Sequence, residues 1–338
     1  MHPESSPRAA PDAHLPPLPD LPEGPGAPRR VGVELEFGAL PPERAALIAG
    51  DVLGGGLTRL SAGEWRLHES ALGTVKIYLD TALRPEGSDA AAKAGVALAR
   101  QVVPIEIVTE PVAQADLARL DALVAALASA GAEGSRAHML HGFGLHLNIA
   151  LADPESGRDM PRVARAFALL EPWLRARDPL DMSRRVLPFT QPFPRAFGDA
   201  LARLAPDAAP EALFDLIDAH LDSRNHGLDL LPAYAHLAPG RFARHAAAGG
   251  PVSARPAYHF RMPESRIDEA GWSLGYDWRR WVLVERVAAD DALAAKLATL
   301  RANQPAWPAL FDGRATVDAV TSALGPLADL APEAPGRA

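Results

Sequence analysis

The segment Arg30-Val-Gly-Val-Glu-Leu-Glu-Phe37 begins the regular part of this sequence, and its pattern decides the fold class. Its valines, leucine and phenylalanine alternate with Gly32, Glu34 and Glu36. Successive side chains of a β-strand point to opposite faces, so strict alternation predicts a strand that is buried on one face only. The opposite face carries two carboxylates spaced about 6.5–7 Å apart along the strand. The sequence therefore predicts a sheet with one apolar face and one acidic, polar face.

The same alternation recurs along the chain and is separated by segments with helical spacing of apolar residues. Further strands are predicted near Glu64–His68, Thr74–Asp80, Val103–Thr109, Gly144–Leu151 and Ala257–Met262. Helices are predicted from Pro42 to about Gly54 and over Ser88–Arg100, Gln114–Ala130 and Asp277–Asn303. Because strands and helices do not follow a strict βαβ order, we predict an α+β fold. Its sheet is mostly antiparallel, with a polar active-site face and helices packed on the other face.

Composition divides the chain into three parts. Residues 1–28 include nine prolines and no apolar periodicity, which is typical of a disordered tail. Residues 29–305 form the predicted domain, with a helical insertion at about 160–250. Residues 306–338 are predicted to form a C-terminal helix and a flexible tail.

Charge and residue counts exclude several classes of protein. The 338 residues carry a formal net charge of −8, whereas a nucleic-acid-binding protein normally has a basic excess. The chain contains no cysteine, so disulfide scaffolds, cysteine-ligated zinc and cysteine nucleophiles are excluded. No apolar run reaches the length of a membrane span, and no secretory signal is visible, so we expect no membrane partner and a cytoplasmic protein.

The polar faces of the predicted strands carry residue types that bind metals and phosphates. Carboxylate oxygens favour Mg²⁺ or Mn²⁺, and an added imidazole shifts the preference towards Mn²⁺ or another transition metal. Neighbouring carboxylates repel each other unless a cation or a proton intervenes, so this face predicts one or two bound metals. The residues are Glu34, Glu36, Glu106, His146, Asn148, His259 and Arg261, with Lys76 and Asp80 nearby.

Several of these segments, in this order, resemble the amidoligase family. That family belongs to the carboxylate–amine ligases, together with glutamine synthetase and glutamate–cysteine ligase. The resemblance implies a glutamine synthetase catalytic-domain-like fold and ATP-dependent formation of an amide or isopeptide bond through an acyl phosphate. The matching pieces are Val31-Gly-Val-Glu34-Leu-Glu36-Phe37, Trp65, Asp80, Pro104-Ile-Glu106-Ile-Val-Thr109, Gly144-Leu-His146-Leu-Asn148 and Phe260-Arg261.

The resemblance also implies roles for individual residues. Arg261 would contact the transferred phosphate, and Asp80 would lie near the amine substrate. Metal ions, Mg²⁺ or Mn²⁺, would be held by Glu34, Glu36, Glu106 and His146. Apart from these implied roles, we expect His259 to be a further metal ligand and Lys76, Arg255 and Arg266 to bind ATP. The partners would be a carboxylate and an amine, each a small molecule or a peptide.

One motif departs from the family pattern. The family often has Glu-Phe-Arg in the last strand, whereas this chain has His259-Phe-Arg261. One metal position is therefore altered or lost, and this keeps open a non-catalytic, nucleotide-binding relative of the family. A metal-dependent hydrolase is the other alternative, because His138, His141 and His146 lie at short spacing. The polar run Asp222–His226 is either a helix end or a loop that touches the substrate.

Overall fold

A computed structural model describes residues 15–22, 24, 28–80, 103–137, 142–186, 190–247, 250, 252–303 and 313–333. Strand β1 (Arg30–Phe37) lies inside an open sheet and pairs antiparallel with β5 on one side and β7 on the other. The strand order is β2-β3-β4-β5-β1-β7-β9-β8, every pair is antiparallel, and β6 also pairs with β1. The other strands are β2 (Gly56–Arg59), β3 (Glu64–Ser70), β4 (Gly73–Leu79), β5 (Ile105–Thr109), β6 (Val112–Ala113), β7 (Leu145–Ala150), β8 (Leu228–Asp229) and β9 (Ala257–Phe260).

One face of this sheet forms the hydrophobic core. Val33, Leu35, Ile107 and Leu147 belong to it and are all buried. Helices cover this face. The helix Pro42–Leu53 packs against the helix Leu117–Ser129, and the helix Leu274–Ala289 packs against both Leu117–Ser129 and Met160–Arg177. The predicted α+β class, with a mostly antiparallel sheet and packed helices, is confirmed; the closer likeness to glutamine synthetase stays a prediction. The helices are α1 (Pro42–Leu53), α2 (Leu117–Ser129), α3 (Met160–Arg177), α4 (Met182–Val186), α5 (Arg195–Ala202), α6 (Pro210–His220), α7 (Leu231–Leu237), α8 (Pro239–Phe242), α9 (Leu274–Ala289), α10 (Asp291–Ala302) and α11 (Gly313–Leu324).

The long helix predicted over Asp277–Asn303 is two helices, α9 and α10. The chain is extended at Asp290, with φ −114° and ψ 96°, and the Asp290 carboxylate accepts a hydrogen bond from the Leu293 backbone N–H. This side-chain cap satisfies a free N–H at the start of α10 and lets the chain change direction. The predicted helix Ser88–Arg100 lies outside the described residues.

Parts of both predicted tails pack against the domain. The indole Nε1 of Trp278 donates a hydrogen bond to the Pro16 carbonyl at 2.9 Å, and Leu21 is buried. At the other end, Arg280 Nη2 donates to the Pro332 carbonyl at 2.9 Å, and Ala331 is buried. Within α11, Thr321 Oγ1 accepts a hydrogen bond from Trp173 Nε1 of α3 at 2.9 Å. No helix in the described part of the chain is long and apolar enough to cross a membrane.

Candidate active site

Strand pairing places the acidic and imidazole side chains of β1, β5 and β7 on one face of the sheet. Glu36 lies directly opposite Glu106 across β1 and β5, and Glu34 lies directly opposite His146 across β1 and β7. Directly opposed residues share a face, so these four side chains project to the same side, away from the apolar core. The alternation that predicted each strand thus also predicted the face on which these residues lie.

Glu34, His146 and His259 form a compact group, which we call the triad. One ligand atom from each residue lies within 4.8 Å of those of the other two. Glu34 Oε2 is 3.0 Å from His146 Nδ1 and 3.7 Å from His259 Nε2, and the two imidazole rings meet edge to face at 5.2 Å. Asn148 Nδ2 donates to the other carboxylate oxygen of Glu34 at 2.8 Å, which fixes the carboxylate.

The electrostatics of the triad keep Glu34 ionised and His259 neutral at neutral pH. Burial alone would raise the pKa of Glu34, but the hydrogen bond with His146 and the nearby His259 and Arg255 hold it well below its usual range. Burial lowers the pKa of His259 to about 4, against the opposing effect of Asp229. The triad therefore presents one carboxylate and a neutral His259, which are the protonation states that a metal requires.

Glu106 lies beside the triad in an environment that disfavours its charge. Burial, together with the nearby carboxylates of Glu36, Glu34 and Asp80, raises the pKa of Glu106 to about 8, although its hydrogen bond with Tyr78 opposes the shift. A cation between these carboxylates would remove the repulsion. Glu36 and Glu106 are thus suited to hold a divalent cation through oxygen atoms alone.

Gly144 keeps open the space between the triad and a buried arginine. Its N–H donates to Glu36 Oε2 at 2.7 Å. A Cβ atom at this position would lie 2.6 Å from His146 Nε2 and 2.9 Å from both terminal nitrogens of Arg184, so a side chain here would collide with the site. Arg184 donates to the carbonyls of Gly142 at 3.0 Å and Arg261 at 2.8 Å. Nothing in the sequence identified Arg184, because it comes from the helical region without a strand pattern.

Three further arginines border the triad. Arg255 Nη1 lies 3.7 Å from Glu34 Oε1, and Arg261 Nη1 donates to the Arg224 carbonyl at 3.0 Å. Arg224 Nη2 lies 3.3 Å from His259 Nδ1, so the loop that contains Arg224 reaches the site. Burial chiefly lowers the pKa of Arg261 to about 10, which leaves it charged at neutral pH. These guanidinium groups are positioned to bind an anion next to the carboxylates of the polar face.

Lys76 and Arg266 lie in different surroundings from each other. Lys76 and Tyr78 line a cleft of about 640 Å³ on the polar face of β4. Arg266, in contrast, is buried in a separate ion-pair network, where it contacts Glu269 Oε2 at 2.8 Å and Asp178 at 3.4 Å. The structure thus does not bring Arg266 together with the predicted ATP-binding residues, because its guanidinium is occupied by these two carboxylates. His138 and His141 lie outside the described residues.

The donor set fits a divalent cation. His259 is 3% exposed, and its Nε2 atom has no hydrogen-bond partner in the described structure although it faces the Glu34 carboxylate. An unpartnered buried nitrogen is costly unless a ligand completes it. Together with the opposed carboxylates and the space kept open by Gly144, this defines a candidate metal-binding group on the polar face of the sheet.

Comparison with known proteins assigns the chain to a family. The family described as "Putative amidoligase enzyme" matches residues 27–283, which is most of the chain and includes all strands of the sheet. The chain therefore belongs to this amidoligase family, and the assignment indicates an amide-bond ligase. No curated protein and no solved structure matched the chain.

Proposed function

We propose that the protein is an ATP-dependent carboxylate–amine ligase that forms an amide or isopeptide bond through an acyl phosphate. The observation that carries the proposal is the convergence of Glu34, Glu36, Glu106 and His146 on one face of three adjacent strands. Phosphoryl transfer needs charge neutralisation and positioning more than covalent chemistry from the protein. A face with divalent-cation ligands bordered by arginines supplies both.

We assign each residue of the site a role according to the charged group that it would bind. Glu36 and Glu106, together with the triad, hold the divalent cations, which offset the charge of the phosphates when bound. Lys76 and Arg255 bind ATP. Arg261 meets the transferred phosphoryl group through its planar guanidinium. Asp80 lies within electrostatic reach of Glu106 and holds the ammonium form of the amine.

The reaction proceeds in two displacements. An oxygen of the substrate carboxylate attacks the γ-phosphorus, the bond between the β–γ bridging oxygen and the γ-phosphorus breaks, and ADP leaves. Asp80 accepts a proton from the bound ammonium, which frees the nitrogen lone pair to attack the acyl carbon. Inorganic phosphate then leaves and carries the second proton that the nitrogen loses as the amide forms. Arg261 stabilises the phosphate in both displacements.

The proposal is tested by trapping the acyl phosphate with hydroxylamine, which replaces the amine substrate and yields a hydroxamate that forms a coloured complex with ferric iron. The protein is incubated with ATP, Mg²⁺ or Mn²⁺, hydroxylamine and a panel of amino acids, peptides and other carboxylates. We expect hydroxamate and ADP in equal amounts with the correct carboxylate. Glu36→Gln should abolish both products, and Glu155→Gln, which changes an exposed glutamate, should leave them unchanged. Full turnover by Glu36→Gln would contradict the proposal.

A metal-dependent hydrolase is the second candidate function. The triad supplies two imidazoles and one carboxylate, which is a donor set of catalytic zinc sites. A hydrolase would cleave amide or ester substrates without ATP, whereas the ligase consumes ATP with each bond formed.

Binding of ATP without ADP release in the presence of every carboxylate tested would instead support a non-catalytic relative.

A further inference from the structure

We infer that the triad selects a transition-metal dication over Mg²⁺, and that Asp229 is the buried carboxylate that orients His259 for this role. The inference concerns the identity of the metal and is independent of ATP turnover. It predicts two different cation positions on the polar face. Glu36 and Glu106 supply oxygen atoms, and the triad supplies two ring nitrogens and one carboxylate.

The donor atoms of the triad separate the two classes of metal. Mg²⁺ is a hard ion that takes oxygen ligands and keeps several waters. Imidazole nitrogen suits first-row transition metals such as Fe²⁺, Ni²⁺, Cu²⁺ and Zn²⁺, and the affinity of a nitrogen-containing site rises from Mn²⁺ through Fe²⁺, Co²⁺ and Ni²⁺ to Cu²⁺. With two imidazoles against one carboxylate, the triad is a poor site for Mg²⁺ and a good one for these metals.

The spacing of the donor atoms is compatible with one shared ion. Two atoms bound about 2.1 Å from a common metal are about 3.0 Å apart at a right angle and about 4.2 Å apart on opposite sides. The Glu34 Oε2 atom lies 3.0 Å from His146 Nδ1 and 3.7 Å from His259 Nε2, within these limits. The ligand atoms of the two histidines lie within 4.8 Å of each other, so the imidazole rings can share one ion after a small rotation.

Asp229 provides the support that a metal-binding histidine requires. Its Oδ2 atom lies 3.5 Å from His259 Nδ1, on the side of the ring opposite the triad. Asp229 is itself held by Arg224 Nε at 3.1 Å and by the Leu231 backbone N–H at 3.1 Å. A histidine that donates its second N–H to a carboxylate has its tautomer and orientation fixed. The Nε2 lone pair then faces Glu34 and His146.

A competing arrangement places the hydrogen on the other ring nitrogen. Arg224 Nη2 and Arg255 Nη2 lie 3.3 Å and 3.4 Å from the same His259 Nδ1 atom and could donate to it. That tautomer would direct an Nε2–H towards Glu34 at 3.7 Å, whereas the other directs the Nδ1–H towards Asp229 at 3.5 Å, and both contacts are longer than an ordinary hydrogen bond. A metal in the triad needs the Nε2 lone pair, so metal binding selects the tautomer that donates to Asp229.

The test is the binding of Mn²⁺ to the full-length, metal-free protein, measured by the loss of the free Mn²⁺ signal in electron paramagnetic resonance. The titration is repeated with about a hundredfold molar excess of Mg²⁺. We expect one equivalent of Mn²⁺ to remain bound in the presence of Mg²⁺. Displacement of all Mn²⁺ by Mg²⁺, or no Mn²⁺ binding at all, would overturn the inference. Because no ATP is present, the result does not depend on whether the protein is a ligase.

Two variants locate the site, and circular dichroism verifies that they fold. His259→Glu replaces an imidazole with a carboxylate, so the bound Mn²⁺ should become displaceable by Mg²⁺. Asp229→Asn should weaken Mn²⁺ binding about 10–100-fold, as expected for loss of an orienting carboxylate. His68→Glu changes an exposed histidine and should have no effect. Unchanged Mn²⁺ affinity in folded Asp229→Asn would contradict the role of Asp229, and retained resistance to Mg²⁺ in folded His259→Glu would place the metal elsewhere.

Discussion

Among single residues, Glu106 shows that a side chain suited to bind a cation lowers the folding stability of the metal-free protein. Its carboxylate is buried beside Glu34, Glu36 and Asp80, and its pKa is raised to about 8. The raised pKa favours the folded state while Glu106 is protonated. This contribution is fully present below the unfolded pKa of about 4.5 and is lost as the pH rises through about 8. A bound cation would restore this lost stability, because it would remove the repulsion between the carboxylates.

Glu106→Gln should therefore raise the melting temperature of the metal-free protein at pH 8.5, because the neutral amide removes the repulsion. The same variant should lose the stabilisation that divalent cations give to the wild type. Thermal melts with EDTA and with Mg²⁺ or Mn²⁺ measure both effects, and Glu155→Gln serves as the control. A variant that melts lower than the wild type in EDTA and still responds fully to the metals would contradict this description of Glu106.

Gly144→Ala tests the steric requirement next to His146. The added Cβ would lie 2.6 Å from His146 Nε2, so the ring or the strand must shift. We expect a loss of about 1–3 kcal/mol in stability from overpacking and at least about tenfold weaker Mn²⁺ binding. Gly56→Ala is the matched control, since a Cβ there meets nothing within 4 Å. Equal Mn²⁺ affinity in both variants would show that Gly144 does not maintain the site.

The sequence predicted the candidate metal ligands of the site from the period of the strands that carry them. Glu34, His146 and His259 lie in alternating segments, and the structure brings them together as the triad. Asp229 lies on a strand of two residues, and Arg184 lies in a short helix. Neither element is long enough for a periodic pattern that reveals where the side chain points. These residues reach the site through tertiary packing, which no local pattern encodes.

At the scale of elements, Asp277 in the first turn of α9 makes the helix sensitive to pH. Burial and the nearby Asp178 raise the pKa of Asp277 to about 7, against the opposing effects of Arg280 and the hydrogen bond from Trp272. The folded carboxyl keeps its proton between about pH 4 and pH 7, where the unfolded one has lost it. Its contribution to stability is full below about pH 4 and is lost as the pH rises through about 7.

Asp277→Asn should remove this dependence, because the amide stays neutral and its oxygen can still accept from Trp272 Nε1. The wild type should lose on the order of 2 kcal/mol relative to the variant between pH 5.5 and pH 8.5. Urea unfolding at the two pH values gives the difference. Parallel pH dependence in the two proteins would contradict the assignment to Asp277.

The strands were predicted better than the ends of the helices. The alternation in β1, β5 and β7 is set by burial of one face, a property that the sequence carries directly. The break between α9 and α10 depends on Asp290, whose role as a cap appears only once the chain turns there. The very short strands β6 and β8 have too few residues for a pattern.

At the scale of the whole molecule, strand order creates the site. Strand β1 lies between β5 and β7, and β9 follows next to β7, although these strands are far apart in the chain. The class of fold could be predicted from the mixture of strands and helices, but the order of the strands could not, because many antiparallel orders bury the same apolar residues. The order was needed to show that His259 joins Glu34 and His146.

The most direct test of the central claim, that side chains from several strands hold divalent cations on one face, is anomalous diffraction at the manganese edge. Crystals would be grown with Mn²⁺ and a non-hydrolysable ATP analogue. We expect an anomalous peak among Glu34 Oε2, His146 and His259 Nε2, and nucleotide phosphates on the same face near Glu36 and Glu106. Manganese and nucleotide bound on any other surface, with the triad left without metal, would contradict it.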